Sequence, residues 1–188
     1  MGGGRKVVTL STATTGLNLI DEDELIGVCI DDNVYLRNVP NDLLLKSQEY
    51  HGVTGEMLSG KAMDDESFKN AVRQQLDNVI ILTYNPDFQS TALWSWCNAD
   101  SLPLIDLPRV YKGAAAQLVI EDGGDAVDYL NRMAGQVKGR LGFKSLCDRL
   151  GIISQDEASL PMQTASQHLW RLYGLLRALP AVVQSRLV

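Results

Sequence analysis

Two histidines and three cysteines are few for a chain of 188 residues. Cys29, Cys97 and Cys147 are widely spaced, and neither His51 nor His168 forms a close ligand pair with any of them. A zinc site is therefore not expected. Isolated thiols in such a chain read as reduced core residues in a cytoplasmic protein. No apolar run approaches the roughly 18 residues needed to cross a bilayer, so no membrane partner is expected. The opening MGGGRK has no apolar stretch of the secretory kind, and residues 1–5 read as a flexible lead-in. Positive charge is also short: 17 basic residues against 23 acidic ones leave a net charge of −6. That disfavours indiscriminate nucleic-acid binding, which needs a positive footprint. One stretch runs the other way. Asn131 to Cys147 carries Arg132, Lys138, Arg140 and Lys144 and no acid. It reads either as a solvated helix face or as a patch that tracks phosphates.

The most informative absence is local. Lys6 to Leu17 reads KVVTLSTATTGL. Val7 to Leu10 suits a strand buried on both faces, and Thr14-Thr15-Gly16 suits the turn that ends it. Such a strand end is where α/β proteins place their chemistry, yet this one carries no charged side chain.

The rest of the chain builds around that strand. Leu25 to Ile30 and Val34 to Val39 read as two further strands joined by a tight Asp31-Asp32-Asn33 turn, giving an antiparallel meander. Asn41 to Gln48 suits a short helix, and His51 to Thr54 a turn that the histidine holds. Asp64 or Asp65 caps a helix with Phe68, Val72 and Leu76 on one face. Val79 to Thr83 suits a buried parallel strand. Asp87 to Cys97 suits a helix with Phe88, Leu93 and Trp96 as core candidates, and Leu102 to Leu107 a short last strand. Ala114 to Ile120 and Ala126 to Met133 each suit helix, separated by Gly123-Gly124. Phe143 to Leu150 suits a short helix. Thr164 to Leu179 suits a long one with Leu169, Leu172, Tyr173, Leu176 and Leu179 in a stripe, stopped by Pro180. The expected fold is α/β: a three-layer domain with a mixed five-stranded sheet, three strands antiparallel and then parallel ones, flanked by helices. The domain spans 6–180, with 112–140 as an inserted, partly helical segment and 181–188 as a tail.

The order of four pieces resembles the DnaQ-like 3′–5′ exonucleases of the DEDDh group, which have a ribonuclease-H-like fold. Ser11-Thr12-Ala13-Thr14-Thr15-Gly16-Leu17 is similar to a family segment Asp-x-Glu-Thr-Thr-Gly-Leu. His51-Gly52-Val53-Thr54 is similar to His-Gly-Ile-Thr. Tyr84 to Gln89 is similar to His-Asn-x-x-Phe-Asp. Leu146 to Ile152, followed by Gln163 to Leu179, resembles the closing segments. The resemblance runs from about Lys6 to Leu179.

What it implies can be set out residue by residue. Family members hold two Mg2+ or Mn2+ ions on four carboxylates, with a histidine as base. The first Asp maps to Ser11, the Glu to Ala13 and the second Asp to Gln89. The histidine maps to Gln163 and the last Asp to His168. No anionic ligand remains at these positions, and magnesium needs oxygen donors with carboxylate charge. Asp87 lies about 200° round its helix from Gln89 and should point elsewhere. Asp21, Glu22, Asp23 and Asp106 read as solvated carboxylates. His168 is expected to hydrogen-bond to Ser11 or Gln89 in a filled pocket. A Ser11–His168 nucleophile lacks an orienting acid. Thr14, Thr15, Gly16, Asn85, Lys138 and Arg140 are the candidate contacts to a nucleic-acid 3′ end. Trp94, Trp96 and Trp170 read as core or interface residues, with base stacking as the alternative.

The expected function is therefore that of a catalytically inactive exonuclease-like pseudoenzyme in DNA or RNA metabolism, without a bound metal cofactor, acting through a protein partner or as a homo-oligomer. The alternatives are a module that grips single-stranded 3′ ends without cutting them, and an active exonuclease using displaced ligands.

Overall fold

In the computed structural model the described residues are 5–19, 22–97, 102–121, 123–125, 143–152 and 159–179. The opening strand β1, Lys6–Thr14, lies inside a six-stranded sheet. It pairs antiparallel with β2, Leu25–Ile30, which pairs antiparallel with β3, Asn33–Arg37. On its other side β1 pairs parallel with β5, Val79–Thr83, followed by β6, Leu104–Asp106. The three-antiparallel-then-parallel order expected from the sequence is present. The sixth strand is a correction: β4, Ala62–Met63, adds two residues parallel to the free edge of β3. Two residues leave no readable alternation, so nothing in the sequence marks them as a strand.

Helices cover both faces. On one, α4, Asp65–Leu76, and α5, Pro86–Cys97, bring Phe68, Val72 and Leu93 against Val8, Leu10, Val28, Ile30 and Ile81. Asp64 caps α4 by accepting from the amide of Ser67 at 2.9 Å. On the other face lie α6, Leu107–Glu121, α7, Phe143–Arg149, and α8, Pro161–Ala178. Their Leu107, Ala114, Leu146, Leu169, Leu172 and Leu176 enclose Leu82. Beyond the tip of β1 three short helices close that side: α1, Asn41–Leu45, α2, Gln48–His51, and α3, Gly55–Lys61.

Several boundaries differ from the sequence expectation, each for a local reason. The helix expected over Asn41 to Gln48 is split, because Ser47 adopts a left-handed conformation at φ 60°. The last strand ends at Asp106, whose carboxylate accepts from the amide of Arg109 at 3.2 Å and so starts α6 seven residues before Ala114. Helix α8 begins at Pro161, with the Gln163 side chain accepting from the amide of Leu160 at 3.1 Å. The boundary drawn at residue 112 lies inside α6. The helix expected at 126–133 lies outside the described residues, as do Pro180 and the tail.

The three cysteines are buried and free, and burial pushes each thiol up to about 11. No described helix is long and apolar enough to cross a membrane.

Candidate functional site

The α8-facing side chains at the tip of β1, Ser11 and Ala13, are buried. The strand's alternation sends Val8 and Leu10 to the α4–α5 face and Thr9, Ser11 and Ala13 to the α8 face. A bulge follows at once: Ala13 pairs with Gly27 and Thr14 with Leu25, which leaves Ile26 unmatched.

Ser11 has no exposed surface, and its hydroxyl donates to the carbonyl of Met162 in α8 at 2.5 Å. Two residues earlier, the Thr9 hydroxyl lies 2.6 Å from that of Ser166, which also has no exposed surface. Ser166 donates to the carbonyl of Asp31 in the β2–β3 turn. Its single hydroxyl proton is thereby used, so Thr9 is the donor in their contact. Asp31 is itself left-handed at φ 55°, and its carboxylate accepts from the amide of Thr9 at 3.0 Å and from the indole of Trp170 at 3.2 Å. Lys6 sits 3.5 Å from the same carboxylate. A column of hydroxyl and carbonyl contacts thus seats α8 on the sheet. Ala13 packs beside it with Leu160 and Met162.

The other mapped positions have separate roles. Gln89 is 1 % exposed, and its side-chain oxygen has no hydrogen-bond partner. Gln163 caps α8. His168 lies edge-on to Phe143 at 6.4 Å, and Phe143 stacks on Tyr84 at 4.8 Å. The His168 Nε2 is buried without a partner, so the hydrogen bond expected to Ser11 or Gln89 is not formed. Burial holds its imidazole below the ordinary histidine range, helped by the positive charges of Arg171 and Lys144 and opposed by Asp148.

The turn after β1 is tied down internally. Thr15 is fully buried; its amide donates to the Glu24 carbonyl at 2.9 Å, and its hydroxyl accepts from the Glu24 amide at 2.8 Å. The Thr14 hydroxyl donates to the Gly16 carbonyl at 2.7 Å. Asp23, expected in solvent, is 8 % exposed. It folds back beneath Gly16, accepts from the Asn18 amide at 2.7 Å and pairs with Lys46. The hydrogen bond and charge of Lys46 hold that carboxyl below its usual range against the opposing effect of burial. Asp87 is exposed, as its helical angle requires, and Asp106 caps α6. Asn85 is an exposed left-handed residue at φ 50° where α5 begins. Lys138, Arg140 and Arg132 lie outside the described residues. Lys144 pairs with Asp148 at 2.9 Å.

Of the histidines, His51 holds its turn: the Val53 amide donates to Nδ1 at 3.0 Å, and Nε2 faces the carbonyls of Leu44 and Lys46. Of the tryptophans, Trp94 is exposed, Trp170 ties α8 to Asp31, and Trp96 stacks beneath the Arg37 guanidinium at 3.8 Å.

A pair of divalent ions does not fit this donor set. The mapped positions offer a hydroxyl already donating, a methyl, a buried amide, an amide that caps α8 and an imidazole. Among the described residues no three His, Cys, Asp or Glu side chains converge. The sequence reading missed Ser166 and Met162. Extending the α8 stripe back from Leu169 by three and seven residues would have found both.

No family model and no curated protein matches this sequence. Solved structures do match its fold. Exonuclease I of E. coli in complex with a dA16 oligonucleotide is 13% identical at a TM-score of 0.61, over 95% of this chain and 42% of that one. Exonuclease I of Methylocaldum szegediense is 14% identical at 0.58, over 93% and 43%. The crystal of the yeast NOT1 MIF4G domain with CAF1 contains a chain 16% identical at 0.57, over 93% and 79%. The fold is thus the ribonuclease-H-like fold of these exonucleases. The chain spans less than half the length of the exonuclease I chains it matches.

Proposed function

We propose that this chain is an exonuclease-like domain that does not cut and that acts in nucleic-acid metabolism by binding a protein partner or by assembling with itself. The observation that carries the reading is the chemistry of the β1 tip. Ser11 stands where the resemblance implies an Asp, and its hydroxyl is committed to the Met162 carbonyl. Ala13 and Gln89 supply no charge, and Asp23, the buried acid of the adjoining turn, is neutralised by Lys46. A fold shared with nucleases does not restore a reaction whose donor groups are gone.

Gripping a 3′ end without cleavage is the weaker alternative, because the Thr15 amide and hydroxyl that would serve it are taken up by Glu24. Cleavage with displaced ligands is weaker still, since Asp23, the buried acid nearest in sequence to the strand end, is paired with Lys46. The test is degradation of single-stranded DNA and RNA by the whole chain with Mg2+ or Mn2+. No turnover above a metal-free control is expected; metal-dependent release of mononucleotides would refute the proposal.

A further inference from the structure

The loss of ligands at the β1 tip is a change of side chains, and side chains can be changed back. The packing of α8 is a different matter. Three residues with no exposed surface meet there, Thr9 and Ser11 in β1 and Ser166 in α8, and Ser166 reaches a third element through the Asp31 carbonyl in the β2–β3 turn. We infer that this hydroxyl seat has taken over the strand tip, so that α8 occupies the place beside Ser11 that an ion would need and carboxylates put back by substitution do not recreate an ion site. The inference rests on the non-cutting reading and goes beyond it, because it concerns what the fold can accommodate and not only what it contains.

The chemistry is direct. An ionised carboxylate has acceptors only. At position 11 it would face the Met162 carbonyl, which is also an acceptor, in a place with no exposed surface. Burying an unpaired charge is strongly unfavourable. A glutamate at position 13 would have to enter the cluster of Leu160, Met162, Ile26 and Cys29. The seat also has continuity. Ser166 links β1 to the β2–β3 turn, Trp170 repeats the link one helical turn later, and the Asp31 carboxylate returns to the Thr9 amide. Opening the tip would therefore require α8 to lift from both strands together.

The experiment compares the wild type with two variants. Ser11→Asp/Ala13→Glu/Gln89→Asp restores three carboxylates; Ser11→Ala removes one hydroxyl and nothing else. Mn2+ is titrated into each by calorimetry, and each is melted with and without it. The triple variant is expected to take up no stoichiometric Mn2+ and to melt below the wild type whether or not the metal is present. A triple variant that stays unfolded in Mn2+ gives the same answer. Ser11→Ala is expected to remain folded and to melt about 2–4 °C lower, as for one lost buried hydrogen bond in a chain of this size. Uptake of one or two Mn2+ per chain, a rise in melting temperature with Mn2+, or an unchanged melt for Ser11→Ala would overturn the seat. Nuclease activity of the wild type would overturn the proposed function instead, so the two fail separately.

Discussion

The two faces of the sheet are held by different physics. Toward α4 and α5, Val8, Leu10, Val28 and Ile30 meet Phe68, Val72 and Leu93, all fully or almost fully buried. Toward the first half of α8, the same strand presents Thr9 and Ser11, which meet Ser166 and the Met162 carbonyl. The first face is non-directional and tolerates changes of shape that keep volume. The contacts on the second are directional: each hydroxyl has one proton to donate, and the donors and acceptors must line up for α8 to seat. Ser11 and Ala13, the positions at which the resemblance implies carboxylates, both lie on this second face. Here it works as a fastening.

That contrast can be broken from either side. The largest effect is expected on the apolar face. Phe68→Ala should cost about 3–5 kcal/mol, because a fully buried ring leaves a cavity. Urea denaturation measures it, and a loss below about 1 kcal/mol would mean that α4 is not held as described. On the polar face the expected pattern is non-additive. Thr9→Val or Ser166→Ala alone should each cost about 1–2 kcal/mol, since each removes buried hydrogen bonding. The two together should cost clearly less than their sum, which a double-mutant cycle reads directly. Strict additivity would show that the two hydroxyls act independently.

The smallest effect concerns pH. Burial holds the imidazoles of His51 and His168 below their ordinary value of 6.5. Unfolding releases both, and the unfolded chain then binds more protons at mildly acidic pH. Their contribution to stability is full above about pH 6.5 and is lost as pH falls through the depressed folded values. Denaturation midpoints should therefore decline from pH 7.5 to 5.5, and His168→Leu should flatten the slope. A midpoint that rises over that range would contradict the burial of both rings.

The apolar packing on both faces was legible in the sequence because it has a period. The alternation in β1, the stripe of Phe68, Val72 and Leu76 in α4, and the stripe of Leu169, Leu172 and Leu176 in α8 each announce a buried side. The order of segments picked out Ser11, Ala13 and Gln89 as positions to inspect, and the structure places all three in the interior. The hydroxyl seat was not legible, because serine and threonine carry no hydrophobic signal and their partners are distant; Ser11 and Met162 are 151 residues apart. The burial of Asp23 was hidden for a similar reason. A run of acids reads as solvent-exposed, and it is Lys46, brought in at the end of α1, together with the Asn18 amide, that makes an enclosed carboxylate tolerable. The two-residue β4 and the early start of α6 rest on edge pairing and on one capping carboxylate, which leave little pattern behind.

Gly16 carries a consequence of its own. A methyl group there would come within 2.4 Å of the Asp23 carboxylate. Any larger residue would therefore evict that acid, strip Lys46 of its counter-ion and turn a negative charge outward beside the strand tip. A glycine that invites interpretation as room for a guest is, in this molecule, a lid over the domain's own anion.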